Sequence, residues 1–115
     1  MKLEPNMYIR TNDGYINKIK NVNQFNVLVY GRDLFGEELN IPNNEIVKAS
    51  YNIIDILEIG DYVNGHEVKF KQSGVKRIDI GEDENYVWLN EKDIKSVITH
   101  EQMEQISYKV GEQNE

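Results

Sequence analysis

His100 and Glu104 stand four residues apart in THEQMEQI, the i, i+4 spacing that puts an imidazole and a carboxylate on one helical face, where they could share one ion. Two ligands do not hold zinc, which takes four. The other histidine, His66, follows the dipeptide Asn64-Gly65 and would need a further partner and an ordered outer shell of hydrogen bonds, for which the sequence carries no signal. Both histidines therefore read as solvent-exposed, and no metal site is expected. A denser gathering of charge is Asp79 with Glu82, Asp83 and Glu84, in IDIGEDENY. Its spacing departs from the alternating Asp/Asn pattern and terminal Glu of a calcium loop, and adjacent acids in a hairpin turn point different ways. The run reads as a solvated turn, as do Glu37 and Glu38. For nucleophilic catalysis there are Ser50, Ser73, Ser96 and Ser107, none in a nucleophile-elbow setting, and neither Gly31 nor Gly36 opens a helix in a phosphate-cradling unit. With no cysteine either, the chain is expected to be no enzyme, with no catalytic residues and no cofactor.

Aromatic side chains are the richer resource, with Tyr at seven positions, Phe at three and one Trp. Tyr86 and Trp88 alternate along one stretch and so share a face of a strand, while Tyr8 and Tyr62 follow two similar openings. In small barrels such rings line grooves for peptides, nucleotides or RNA bases, and they also serve as core. The candidate binding residues are therefore Tyr8, Tyr62, Tyr86 and Trp88, with Asp79, Glu82, Asp83 and Glu84 beside them. Gly60 and Asp61 read as turn residues entering a strand, Asp61 bonding local backbone.

The elements that must position these residues come twice. Leu3, Glu4, Tyr8 and Ile9 fall on Leu57, Glu58, Tyr62 and Val63, 54 residues on, and Ile41, Glu45, Ile46 and Ala49 fall on Leu89, Asp93, Ile94 and Val97, 48 residues on. The first copy thus carries extra residues in between, most easily housed in the turn GRDLFGEE, since surface loops absorb insertions. Each copy reads as short β-rich runs: MYIRT, GYINKIKNV, FNVLVYG and EELNI, then DYV, HEVKF, VKRIDIG and ENYVWLN. Asp13-Gly14 and Asn64-Gly65 are tight-turn signals at matching places. A brief turn and a last strand close each copy, in NNEIVKAS and EKDIKSVI.

The expected fold class is mainly β: tandem duplicated small SH3-like β-barrels with a short C-terminal helix. Residues 1–50 form the first barrel, 51–59 a linking turn, 60–98 the second barrel, and 99–115 the helix, a last strand in SYKV and a tail. One continuous antiparallel sheet or sandwich would show the same strand count. YNIIDIL reads as a turn of helix with Asn52 as its cap, or else as strand. Thr99 and Gln102 have the spacing of a capping box, which starts the helix.

At 115 residues, two such halves would lean on each other, because a unit of about 50 residues buries too little surface to be secure alone. No stretch approaches the roughly 18–20 apolar residues of a membrane helix, and MKLEPNMYI lacks the apolar run of a secretory signal, so a cytoplasmic life without membrane contact is expected. Thirteen Lys and Arg against twenty Asp and Glu give a net charge of −7. That charge opposes the phosphate backbone, so no direct nucleic-acid partner is expected, and it suits a basic protein partner or simple solubility. Asn and Ile are abundant and Ala almost missing, the bias of an AT-rich genome.

The stretches MYIRTNDGYINKI, NIIDILEIGDYVNG and KSVITHEQMEQISYKVGE resemble uncharacterised small phage and prophage proteins of AT-rich Gram-positive bacteria. The most recognisable parts are Gly60 to Gly65 and the closing T-x-E-Q-x-E-x-x-x-Y-x-V, from Thr99 to Val110. The resemblance implies a mobile-element origin and a life inside the host bacterial cell; it carries no activity, ligand or catalytic residue. The function expected is a non-enzymatic binder that blocks a host factor, with defence machinery such as CRISPR effectors as target class, because an acidic protein can occupy a basic nucleic-acid channel. The alternatives are a phage structural or assembly protein, for which a homo-oligomer would serve, and a protein that sequesters a nucleotide signal, drawing on Arg10, Arg32 or Arg77.

Overall fold

Alternation of apolar and polar side chains writes the first sheet. In the computed structural model, which describes residues 1–30 and 38–106, strands β1 (Tyr8–Thr11), β2 (Ile16–Val22), β3 (Asn26–Val29), β4 (Leu39–Pro42) and β5 (Ile46–Ser50) pair antiparallel in the order β4-β3-β2-β1-β5. Ile19 on β2 and Val27 and Val29 on β3 turn inward, while Lys18 and Lys20 face water. Between Ile19 and Asn21 the register slips, the mark of a bulge. A 3-10 turn, Asn43–Glu45, leads into β5. The readings that rest on Gly31, Arg32, Gly36, Glu37 and SYKV fall outside the described residues.

The second half has shorter strands: β6 (Tyr62–Val63), β7 (His66–Glu67), β8 (Phe70–Gln72), β9 (Arg77–Asp79), β10 (Trp88–Leu89) and β11 (Val97–Ile98). They form two antiparallel sheets, β11-β6-β7 and β10-β9-β8. The chain passes from one sheet to the other between β7 and β8, where the Val68 N–H donates to the Asp61 carbonyl and the next, Lys69, donates to the Asp79 carbonyl. Another 3-10 turn, Glu91–Asp93, precedes β11, capped by Asn90 in a capping box with Asp93. The described residues are mainly β, in three antiparallel sheets with one short α-helix, and form no closed barrel. Strands of two residues and the split at Val68 leave the second half as two small sheets in place of one continuous wall.

Two hydrophobic clusters result. Ile9, Ile19, Val27, Val29 and Ile46 fill the first. The second holds Val63, Val68 and Ile78 from the second half, Ile54, Ile56 and Leu57 from the segment between, and Ile16 from β2. The expected linker is thus a core element: Ile53–Ile56 is a 3-10 turn, the Asn52 side chain caps it by accepting from the Ile54 N–H at 2.9 Å, and Ile54, Ile56 and Leu57 are buried. Each such side chain contributes about 1.5–3 kcal/mol over the exposed state.

Strand β1 is covered on both faces. Ile9 and Arg10 point opposite ways, as strand neighbours must, yet both are fully buried. Ile9 joins the first cluster, and Arg10 faces the second half. The helix α1 (His100–Ile106) closes the described chain with a reciprocal cap: the Thr99 N–H donates to Gln102 Oε1 and the Gln102 N–H to the Thr99 hydroxyl. It buries no side chain. Its hold on the rest is polar, through the Thr99 hydroxyl donating to the Gly14 carbonyl at 2.7 Å and Gln105 donating to the Asp13 carbonyl at 3.2 Å. Among the described residues no helix is long and apolar enough to cross a membrane.

Candidate functional site

Two places gather chemistry. The first is buried, around Arg10. Its Nη1 donates to Asp61 Oδ2 at 2.6 Å and to the Ile56 carbonyl at 3.0 Å, and its Nη2 donates to Asp61 Oδ1 at 2.9 Å and to Glu101 Oε1. Asp61 also accepts from the backbone N–H groups of Glu58, at 2.7 Å, and His100, at 2.9 Å. Burial opposes the guanidinium charge, but the bonds from Asp61 and Glu101 outweigh it and hold the pKa above its ordinary value. Around the rim, Glu58 meets Lys48 at 2.8 Å and His100 at 2.7 Å. Burial pushes the Glu58 carboxyl up, while the bonds from Lys48 and His100 and the charge of Arg10 push it further down, to about 2.

Glu58, His100 and Glu101 bring their ligand atoms within 4.8 Å of one another, His100 Nε2 lying 2.7 Å from Glu58 and 3.3 Å from Glu101. Arg10 already occupies those oxygens: it donates to Glu101 and lies 3.6 Å from Glu58 Oε1. A second cation at the same oxygens would face the fixed guanidinium at contact range. The cluster is an ionic clasp joining β1, the turn before β6 and α1.

The second place is exposed. Sheet β10-β9-β8 turns Ile78 into the core, and by alternation and register Phe70, Asp79 and Trp88 stand in one row on the opposite face. Tyr86, two residues before Trp88, stacks beside it with ring centroids 5.8 Å apart and planes 7° from parallel; Phe70 lies 6.2 Å from Tyr86, tilted by 44°. Arg77, on the same face of β9, sets its guanidinium 4.1 Å from the Trp88 ring centre and donates through Nε to Gln72 at 2.5 Å. The order along the surface is Arg77, Trp88, Tyr86, Phe70. Phe70 and Tyr86 remain 52% and 58% exposed. A shallow groove of about 380 Å³ opens between them, floored by Lys71 and Gln72. Lys71 donates to the Asp55 and Leu57 carbonyls at 2.9 and 2.8 Å, and burial, with Lys48 nearby, lowers its pKa.

The turn 81–85 carries Tyr86 into place. Gly81 lies so close to the Asn85 carbonyl that a Cβ there would overlap it, and Asp83 adopts a positive φ of 53°. Asp79 is buried and accepts from the N–H groups of Gly81 at 2.9 Å and Val87 at 2.8 Å, so it shapes the turn in place of meeting a ligand. Glu82, Asp83 and Glu84 are exposed on that turn, and none forms an ion pair among the described residues.

Of the sequence-derived candidates, Tyr86, Trp88, Glu82, Asp83 and Glu84 come together. Tyr8 and Tyr62 do not join them: Tyr8 packs on the second core with Lys18 above its ring at 5.6 Å, and Tyr62 is half-buried on β6. Phe70 is a member that the sequence reading omits, although it ends the alternating HEVKF; Arg77 enters that reading only as an arginine available to a nucleotide site, although it precedes Asp79 by the two residues that put them on one face. A larger concavity, of about 490 Å³, lies between the β1–β2 turn and β4, beside Asp13, Tyr15, Leu39, Ile41 and Glu45, and gathers no stacked rings. No family model, no curated protein and no solved structure matches the chain.

Proposed function

We propose that this chain is a non-enzymatic binding protein, built from two copies of one small SH3-like β unit, that blocks a host factor by covering a basic surface such as a nucleic-acid channel. The duplication is supported by register. Tyr8 faces Ser50 and Ile9 faces Ala49; Tyr62 faces Ile98 and Val63 faces Val97, which are the same positions carried along by 54 and 48 residues. Reading β7 and β8 as one interrupted strand turns the second half into the order β10-β9-β8/β7-β6-β11, the counterpart of β4-β3-β2-β1-β5, with a 3-10 turn before the last strand in each.

The observation that carries the binding role is the ladder of Phe70, Tyr86 and Trp88 displayed on an outer sheet face. Burying those exposed rings against a partner is favourable by about 25 cal/mol per Å² of apolar surface, before the costs of association. The buried charges, by contrast, are absorbed in holding the halves together. The test is affinity capture with the wild-type chain, followed by titration of the purified partner with wild type and the double variant Phe70→Ala, Tyr86→Ala. A loss of affinity of about tenfold or more at unchanged melting temperature is expected; equal binding by the variant removes the proposal.

A further inference from the structure

We infer that the ladder docks an extended, arginine-rich segment of a protein partner, whose guanidinium groups lie against the exposed parts of the Tyr86 and Phe70 rings while Glu82, Asp83 and Glu84 neutralise them. The inference rests on the binding role proposed above and names the chemistry of its occupant.

Charge decides the occupant. The β8–β9 hairpin is basic, with Lys69, Lys71, Lys76 and Arg77, which by itself would suit an anionic ligand. Each of those cations is already engaged: Lys69 with Glu67 at 3.4 Å, Lys71 with the carbonyls beneath it, Lys76 with Asp55, and Arg77 with Gln72 and the Trp88 ring. Lys69 and Lys76 are neutralised by carboxylates, whereas Lys71 and Arg77 keep their charge but are bonded in place; the three carboxylates of the next turn, immediately before Tyr86, outnumber these two and pair with no cation among the described residues. The net charge of −7 adds a long-range pull of the same sign.

The chemistry of contact is already present once within the molecule. Arg77 over Trp88 is a cation on an aromatic face, set beside Tyr86, which stacks on Trp88 yet stays 58% exposed, and Phe70, which stays 52% exposed. A planar guanidinium stacks on such rings and forks onto a carboxylate at once, which an ammonium does less well. An extended strand repeats its same-face side chains about every 7 Å, close to the 6.2 Å between Tyr86 and Phe70. Alternate arginines of one segment therefore meet successive rings.

The experiment follows the anisotropy of a fluorescein-labelled peptide of about nine arginines, with lysine and glutamate peptides and labelled oligouridylate as comparisons, at about 50 and 300 mM salt. The arginine peptide is expected to bind, more tightly than the lysine peptide, and to weaken about tenfold or more at the higher salt. Glu82→Gln, Asp83→Asn, Glu84→Gln together should cost about tenfold or more. The charge-neutral pair Phe70→Ala, Tyr86→Ala should cost as much, which separates the ladder from bulk attraction to an acidic protein. Undiminished binding by either variant, or absence of binding by the arginine peptide, overturns the inference. Oligouridylate binding in its place, lost in Phe70→Ala, Tyr86→Ala, would make the ladder a base-stacking surface: the binding role would stand and the cationic occupant would fall.

Discussion

Arg10 and Asp61, 51 residues apart in the chain, form a two-pronged ion pair at 2.6 and 2.9 Å, and no part of either side chain reaches solvent. The pair ties β1 to the turn that opens the second half. A buried charge that loses its partner is costly, whereas replacing the whole pair by apolar groups is much less so. Asp61→Ala should therefore lower stability by about 3–5 kcal/mol in urea unfolding. A loss below about 1 kcal/mol would mean that Glu101 alone satisfies the guanidinium.

Gly14 has a φ of +85°, and a Cβ there would overlap the Thr99 hydroxyl and stand 2.6 Å from the Glu101 Cβ. Gly14→Ala should thus act at a distance, prising the start of α1 from the β1–β2 turn. Hydrogen exchange of the α1 amides should rise while that of β3 stays the same. A melting temperature equal to wild type, with α1 still protected, would contradict the arrangement.

Glu58 links stability to acid. Its carboxyl is held near 2 in the folded chain against an ordinary 4.5. A depressed acid stabilises the fold fully above the unfolded value, and the contribution fades as the pH falls from about 4.5 towards 2. Stability measured across that window should drop, and Glu58→Gln should be weaker at neutral pH yet show a shallower acid slope. Parallel slopes for the two proteins would show that the loss arises from other carboxylates.

Asn64, at a φ of 52°, accepts from the N–H groups of Lys95 and Ser96 at 2.7 and 3.1 Å and donates to the Asp93 carbonyl at 2.8 Å. One side chain thus stitches the β6–β7 turn to the approach of β11. Asn64→Ala loses those bonds and meets the positive φ without relief, and should cost about 1–3 kcal/mol. Asn64→Gly keeps the turn and loses the bonds. If both variants cost the same, the bonds dominate; a nearly wild-type glycine variant would assign the role to backbone shape.

Local rules made much of this legible in the sequence. Alternation located the strands, Asp13-Gly14 and Asn64-Gly65 located tight turns, and the Thr99–Gln102 spacing located α1. The Tyr86 and Trp88 pairing followed from a period of two. What escaped were relations that depend on which strands become neighbours. Arg10 sits in a strand whose other face carries Ile9, so its burial needs a second body to lie against it, and no local pattern announces that. Asp61 read as a turn residue because it is one, accepting from the Glu58 N–H; its longer-range partners share the same oxygens. Phe70 joined the ladder only once β8, β9 and β10 were set side by side.

The clasp around Arg10 has a consequence for how the chain is made. Asp61 and Glu101 lie 51 and 91 residues after it, so on a ribosome adding about 5–20 residues per second the arginine waits some seconds for its counter-charges. Until then the face of β1 that carries it has nothing to neutralise it in a dry interior, and the nascent N-terminal half keeps that face wet. Closure of the molecule is thereby deferred until α1 has been made.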